Sequence, residues 1–228
     1  MLILAVDTTT PSGSTALLED GTLLGEANIE SAATHSARLL RSIDFLLSAH
    51  GRDIAAVDGF AVAAGPGSFT GIRIGVGAVK SLAFASGKPV APVSTLLALA
   101  TKLAAGGPGL VCPLLDAKKE EIYAALFEEG DEGLVEIIPQ GAYAPDEFFA
   151  RLPAGRGIAF TGSGVDAYRD TLLRHVGDRA LFPVRTAFIA AEVGRIGADL
   201  IRAGRGVDAA SLEPLYFRRS QAEEKCRT

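Results

Sequence analysis

Gly65-Pro66-Gly67-Ser68-Phe69-Thr70-Gly71-Ile72-Arg73-Ile74-Gly75 decides how this chain folds. An apolar run, Phe60 to Ala64, precedes it and has the composition of a buried strand, and a helical pattern follows it to about Ser86. A glycine-rich turn from strand to helix leaves backbone N–H groups unpaired at the positive end of the helix dipole, a natural seat for an anion. The glycines continue past the turn: Gly67, Gly71 and Gly75 recur every fourth residue and share one helix face. Each glycine inside a helix costs about 1 kcal/mol relative to alanine. A phosphate at the turn would not offset that cost, whereas close approach of a second helix would.

The phosphate reading also fails on spacing. No Lys-Ser or Lys-Thr completes GxxxxGK[ST], and Gly71 falls one residue late for GxGxxG. A residual anion or nucleotide seat would draw on Gly65, Gly67 and Ser68, with Asp7 and Thr8 from the first strand's end. In kinases of related architecture such an acidic residue holds Mg²⁺ and the hydroxyls approach phosphate. The alternative is a polar turn whose threonine hydroxyls satisfy backbone groups.

Outward from this stretch, Leu2 to Val6 reads as a central strand, Ser14 to Leu18 as a second, and Thr22 to Ile29 as a third, with a hairpin turn at Glu19-Asp20-Gly21. Thr34 or Ser36 can cap a helix over 35–48, with Leu39, Leu40, Ile43, Leu46 and Leu47 at helical spacing and Gly51 as its stop. With Phe45, these residues spread apolar surface beyond one stripe, which predicts a helix covered on two sides. A strand near Pro89–Val93 and a helix from Thr95 to Ala104 follow, then Gly106-Gly107-Pro108-Gly109 as the internal boundary. Beyond it, Leu110 to Leu115 and Glu121 to Phe127 read as paired strands, then a smaller α/β region to about Val176. A helix over Ala187 to Arg202 would pack back on the first half. The expected division is a first lobe over 1–105 with the helix near 187–204, a smaller lobe over 108–186, and a strand and tail over 205–228. No close internal repeat is visible.

The chain has 228 residues, 48% hydrophobic, enough for a substantial core. A net charge of −5 without a Lys/Arg cluster argues against nucleic-acid binding by the chain alone. Two cysteines cannot frame a disulfide scaffold, no basic leader precedes Leu2, and no run reaches membrane-spanning length, so a cytoplasmic location without membrane is expected. His35, His50 and His175 share no metal-ligand spacing, HExxH is absent, and Gly162-Ser163-Gly164 is not a nucleophile elbow. No catalytic residue and no metal site is assigned.

Five segments carry a family resemblance: Ile3-Leu4-Ala5-Val6-Asp7-Thr8-Thr9, His35-Ser36-Ala37-Arg38-Leu39-Leu40, the glycine-rich stretch itself, Leu115-Asp116-Ala117-Lys118-Lys119-Glu120-Glu121-Ile122-Tyr123-Ala124 and Pro214-Leu215-Tyr216-Phe217-Arg218. In order, they resemble the signatures of the bacterial TsaB (YeaZ) family. The resemblance implies an α/β, ASKHA (actin-like, RNase H-like) fold of two lobes, each a mixed sheet flanked by helices. It implies a part in making N6-threonylcarbamoyladenosine in tRNAs that read ANN codons. There the catalytic subunit is the paralogue TsaD, joined by the ATPase TsaE. ATP/ADP and metal would belong to those partners and no cofactor to this chain; tRNA would be met only through the complex, and the chain alone would form a homodimer. TsaD-like proteins carry an Asn-His-x-x-x-His metal motif; the corresponding run here, Ser94-Thr95-Leu96-Leu97-Ala98-Leu99, puts Thr95 and Leu99 in place of both imidazoles. The expected partner face comprises His35, Leu39, Leu40, Ile43, Leu46 and Leu47 of one helix with Gly71, Ile74, Gly75, Ala78, Val79 and Leu82 of the next.

Overall fold

The structure, a computed structural model, describes residues 1–30, 35–104, 109–131 and 133–217, with the side chains of 29, 30 and 35–37 left aside. Thr34, most of the 106–109 boundary and Arg218 onward therefore lie outside the described residues. The chain divides into two compact units, Met1–Ala98 with Phe188–Tyr216, and Leu99–Ala187 with Phe217. The division falls inside a helix over Thr95–Ala104 rather than in the glycine/proline run that follows it.

The first unit opens with three strands, β1 (Leu2–Asp7), β2 (Ser12–Glu19) and β3 (Thr22–Glu30), followed by α1 (His35–Ala49), β4 (Gly59–Gly65), α2 (Phe69–Ser86), β5 (Val90–Ser94) and α3 (Thr95–Ala104). The β2–β3 turn takes positive φ at both Asp20 and Gly21, the backbone twist that tight hairpins require. The sheet order is β3-β2-β1-β4-β5, antiparallel within the meander and parallel from β1 to β4 to β5.

Side chains alternate across this sheet. Leu2, Leu4, Val6, Phe60 and Val62 form one core with Leu39, Ile43 and Leu47 of α1 and Ile72, Val76, Val79 and Ala83 of α2. Ala5, Ala61 and Ala91 face the other way. They meet the late helix, which begins at Ala190, later than its sequence pattern predicts. A Cβ added at its Gly194 would strike Leu18, and one at Gly197 would strike Ala61, so this helix lies close against a small-residue surface. Residues after it contribute only an isolated bridge, Val207 to Val90, and no strand among 205–217.

The second unit contains β6 (Leu110–Lys118), β7 (Glu121–Gly130), β8 (Gly133–Tyr143), α4 (Pro145–Ala150), β9 (Ile158–Thr161), α5 (Gly164–Ala167), α6 (Arg169–Val176) and β10 (Ala180–Leu181), and the helix over Ala190–Arg202 that belongs to the first unit is α7. Its sheet runs β10-β9-β6-β7-β8, again a three-strand antiparallel meander continued by parallel strands. Its core joins Leu110, Leu114, Ile122, Leu126, Phe148, Phe160 and Leu172.

Candidate functional site: the end of β1 and the two faces of α2

The turn after β4 closes on the end of β1. The Ser68 N–H donates to Thr9 O at 2.7 Å, the Thr8 hydroxyl donates to Gly71 O at 2.7 Å, and Ser68 Oγ caps α2 by accepting the Gly71 N–H at 3.3 Å. A Cβ at Gly67 would stand 2.5 Å from Thr9 O, and one at Gly71 or Gly75 would strike Thr8. The glycine face thus makes room for this chain's own first strand, and the expectation that Gly71 and Gly75 meet a partner helix is corrected. Gly65, at φ +126° where side chains rarely fit, is pressed against Leu215 O, and the Leu215 N–H donates to Ala64 O at 2.7 Å.

The expected anion residues do not converge. Thr8 shares the α2 side of the sheet with Val6, so Asp7 between them faces the α7 side. There Ser14, its register partner on β2, accepts the Ala190 N–H at the start of α7 at 3.1 Å. Asp7 is fully buried. Its Oδ1 accepts the Thr9 N–H at 2.8 Å and the Thr9 hydroxyl at 2.7 Å, while Oδ2 has no partner among the described residues. Burial pushes its pKa up to about 6, against the two Thr9 hydrogen bonds, which pull it down. On the turn itself, the Thr8 hydroxyl, the Ser68 N–H and the space beside Gly67 are taken up inside the chain. They do not fit a phosphate.

The expected partner face divides into core and surface. Leu39, Ile43, Leu46, Leu47 and Val79 are buried in the first unit, as are Gly71 and Gly75, and none is available to another molecule. They are corrected to core: the sheet covers that side of α1 and α2. His35 lies on α1 with its side chain outside the described set. What remains outward is Leu40, with Ile74, Ala78 and Leu82 half-buried. Phe45 and Phe84 join them at 66% and 81% exposed, so α1 is not covered on two sides within this chain. On α2, Ile74, Gly77, Ser81 and Phe84 follow helical spacing along one outward face. A Cβ at Gly77 would meet nothing within 4 Å. Phe84 and Gly77 were findable in sequence as positions half a turn from the Gly71–Gly75 row, but only knowledge of which row faces the sheet distinguishes them.

The remaining candidates are structural. Thr95 is buried with a hydroxyl that has no partner among the described residues, and Leu99 is buried. Gly162 and Gly164 carry no nucleophile elbow; added Cβ atoms there would strike Leu114 of β6. Cys112 is buried and its thiol is pushed up by desolvation. Among the described residues no group of three or more His, Cys, Asp or Glu could hold a metal ion, and no helix is long and apolar enough to cross a membrane.

Two mixed sheets, each a meander continued by parallel strands and flanked by helices, define an ASKHA-type (actin-like) α/β protein. Residues 28–224 match the family described as TsaD, tRNA N6-adenosine threonylcarbamoyltransferase, and the chain belongs to that family. Within it the likeness is to TsaB. The tRNA threonylcarbamoyladenosine biosynthesis protein TsaB of Bacillus subtilis is 29% identical over 232 residues, covering 99% of this chain and 97% of that one. The TsaB of Escherichia coli is 29% identical over 233 residues, covering 99% and 98%. YeaZ from Pseudomonas aeruginosa superposes with a TM-score of 0.82 at 29% identity, covering 94% of this chain and 99% of that one. The chain is thus related to a transferase family and similar to proteins of tRNA threonylcarbamoyladenosine biosynthesis.

Proposed function

We propose that this chain is a non-catalytic partner subunit in the synthesis of N6-threonylcarbamoyladenosine on tRNA. It docks on the transferase TsaD through the outward face of α1 and α2 and works with the ATPase TsaE. One observation carries this reading: Gly77, inside an 18-residue helix, opens onto empty space in a face that also exposes Phe84. The cost of that glycine, about 1 kcal/mol, is offset by nothing among the described residues, and a helix of another molecule approaching closely would offset it. Thr95 and Leu99 at the two imidazole positions of the transferases support the non-catalytic role, since neither side chain can replace an imidazole ligand. Nucleotide and metal belong to the partners, tRNA is engaged by the assembled cytoplasmic complex, and without its partner the same face pairs two copies of this chain.

The test is co-elution with TsaD of the same organism on size exclusion. Gly77→Leu and Phe84→Glu should abolish co-elution while leaving the melting temperature of the isolated chain within a few degrees of wild type; co-elution of both variants at wild-type affinity would refute the docking face. A second reading, a Mg-ATP site of the chain's own, has one observation in its favour, the unpartnered Asp7 Oδ2. Calorimetry with millimolar Mg-ATP decides it. Binding that disappears in Asp7→Ala would establish that site, and no heat would remove it.

A further inference from the structure

The start of α2 carries a cluster that neither the core nor the docking face uses. The Arg73 guanidinium lies over the Phe69 ring, 3.9 Å from its centroid. Tyr216, 143 residues after Arg73 in sequence, stacks on the same Phe69 with centroids 5.4 Å apart and planes 29° apart. The Arg73 Nε–H donates to the Tyr216 hydroxyl at 3.1 Å. Phe69 is 39% and Tyr216 42% exposed, and Arg73 is exposed beside them. Guanidinium carries five N–H donors; the Nε–H is the one bonded among the described residues, and the side chain is exposed.

We infer that Phe69, Arg73 and Tyr216 form a stacking platform for an unpaired base of the RNA substrate, with Arg73 on the adjoining phosphate. The inference rests on the proposed role in tRNA modification. Its chemistry is that of single-stranded RNA recognition, in which unstacked bases lie on aromatic faces and guanidinium planes. Three side chains are far less than the roughly 800 Å² per partner of a stable protein interface, but they match the footprint of one or two bases. The chain's net charge of −5 makes this contact weak alone, in keeping with an RNA held chiefly by the whole assembly.

The experiment uses the isolated chain, so its outcome does not depend on docking. A fluorescein-labelled anticodon stem-loop RNA is titrated at low salt, followed by anisotropy and by tyrosine emission, which no tryptophan obscures and which arises from four tyrosines. Phe69→Ala and Tyr216→Ala should each weaken binding about tenfold or more. Tyr216→Phe, which keeps the ring, should stay within about threefold. Tyr216→Leu, which keeps apolar bulk against Phe69 but offers no π face, should lose binding at an unchanged melting temperature, and it decides the matter if the alanine variants unfold. Three results would overturn the inference: no RNA binding by the wild type, wild-type binding by Tyr216→Leu, or equal affinity for ATP alone. Failure of Gly77→Leu or Phe84→Glu to disturb co-elution would strike the docking proposal instead.

Discussion

Asp7 is a carboxyl group enclosed by the fold with one oxygen satisfied twice and the other not at all. Its pKa rises from 3.8 to about 6, so the native state binds its proton more tightly than the unfolded chain does. The sign follows from linkage: between those values the folded protein holds more protons, and stability falls as pH rises through the window. A two-unit shift corresponds to roughly 3 kcal/mol above about pH 6. Asp7→Asn keeps an oxygen for Thr9 and carries no charge. It should melt higher than wild type at about pH 7.5, with the difference vanishing toward about pH 4; a constant difference across that range would show that Asp7 does not titrate there. Gly71 makes an opposite prediction. Gly71→Val drives a side chain into Thr8 and should destabilise the isolated chain by about 3 kcal/mol or more, measured by urea unfolding. Lys118, Lys119 and Glu120 hold three successive positive φ angles in the β6–β7 turn, each costing an ordinary residue about 1–2 kcal/mol. Glu120→Gly should therefore stabilise, by up to about 1 kcal/mol after glycine's greater unfolded freedom is counted.

At the level of elements, α2 is a helix with two unlike faces. Its inner face, Gly71, Ile72, Gly75, Val76 and Val79, lies against β1 and β4. Its outer face, with Gly77 and Phe84, is open. Gly77→Ala should raise stability by about 1 kcal/mol without touching any neighbour, whereas Gly77→Ala and Gly77→Leu should weaken partner binding in order of size. Sequence periodicity located α2, its glycine row and the helix α3 over Thr95–Ala104, because apolar spacing and the glycines that punctuate it are local signals. It assigned the glycine row to the wrong neighbour, since period alone says that residues share a face and not what lies opposite. A strand end 63 residues away, at Thr8, supplied that contact. The Arg73–Tyr216 pair was illegible for the same reason, and a segment with no regular structure carries its second half.

At the level of the whole chain, the two sheets repeat one plan. β3-β2-β1-β4-β5 and β8-β7-β6-β9-β10 follow the same order and the same sequence of antiparallel and parallel pairings. The glycines after β4 have their topological counterparts in Gly162 and Gly164 after β9: added Cβ atoms would strike Thr9 at the end of β1 in one case and Leu114 of β6 in the other. No internal repeat was visible in the sequence because a sheet constrains alternation and small residues at close approaches, not residue identity. The strands β8 to β10 and the helices α4 to α6 were legible only as an unresolved α/β region; these elements are short or irregular, and β8 shifts register twice against β7. The plan is one on which related proteins carry out chemistry, and this chain has filled its glycine turn with its own strand while leaving an apolar helix face outward. The most direct measurement is therefore reconstitution of tRNA threonylcarbamoylation with TsaD and TsaE of the same organism, with this chain omitted, added, or added as Phe84→Glu. Wild-type chain should restore product and Phe84→Glu should not, while the chain without TsaD forms none. Full product in the chain's absence, or undiminished product with Phe84→Glu, would contradict a partner that acts by docking through α1 and α2.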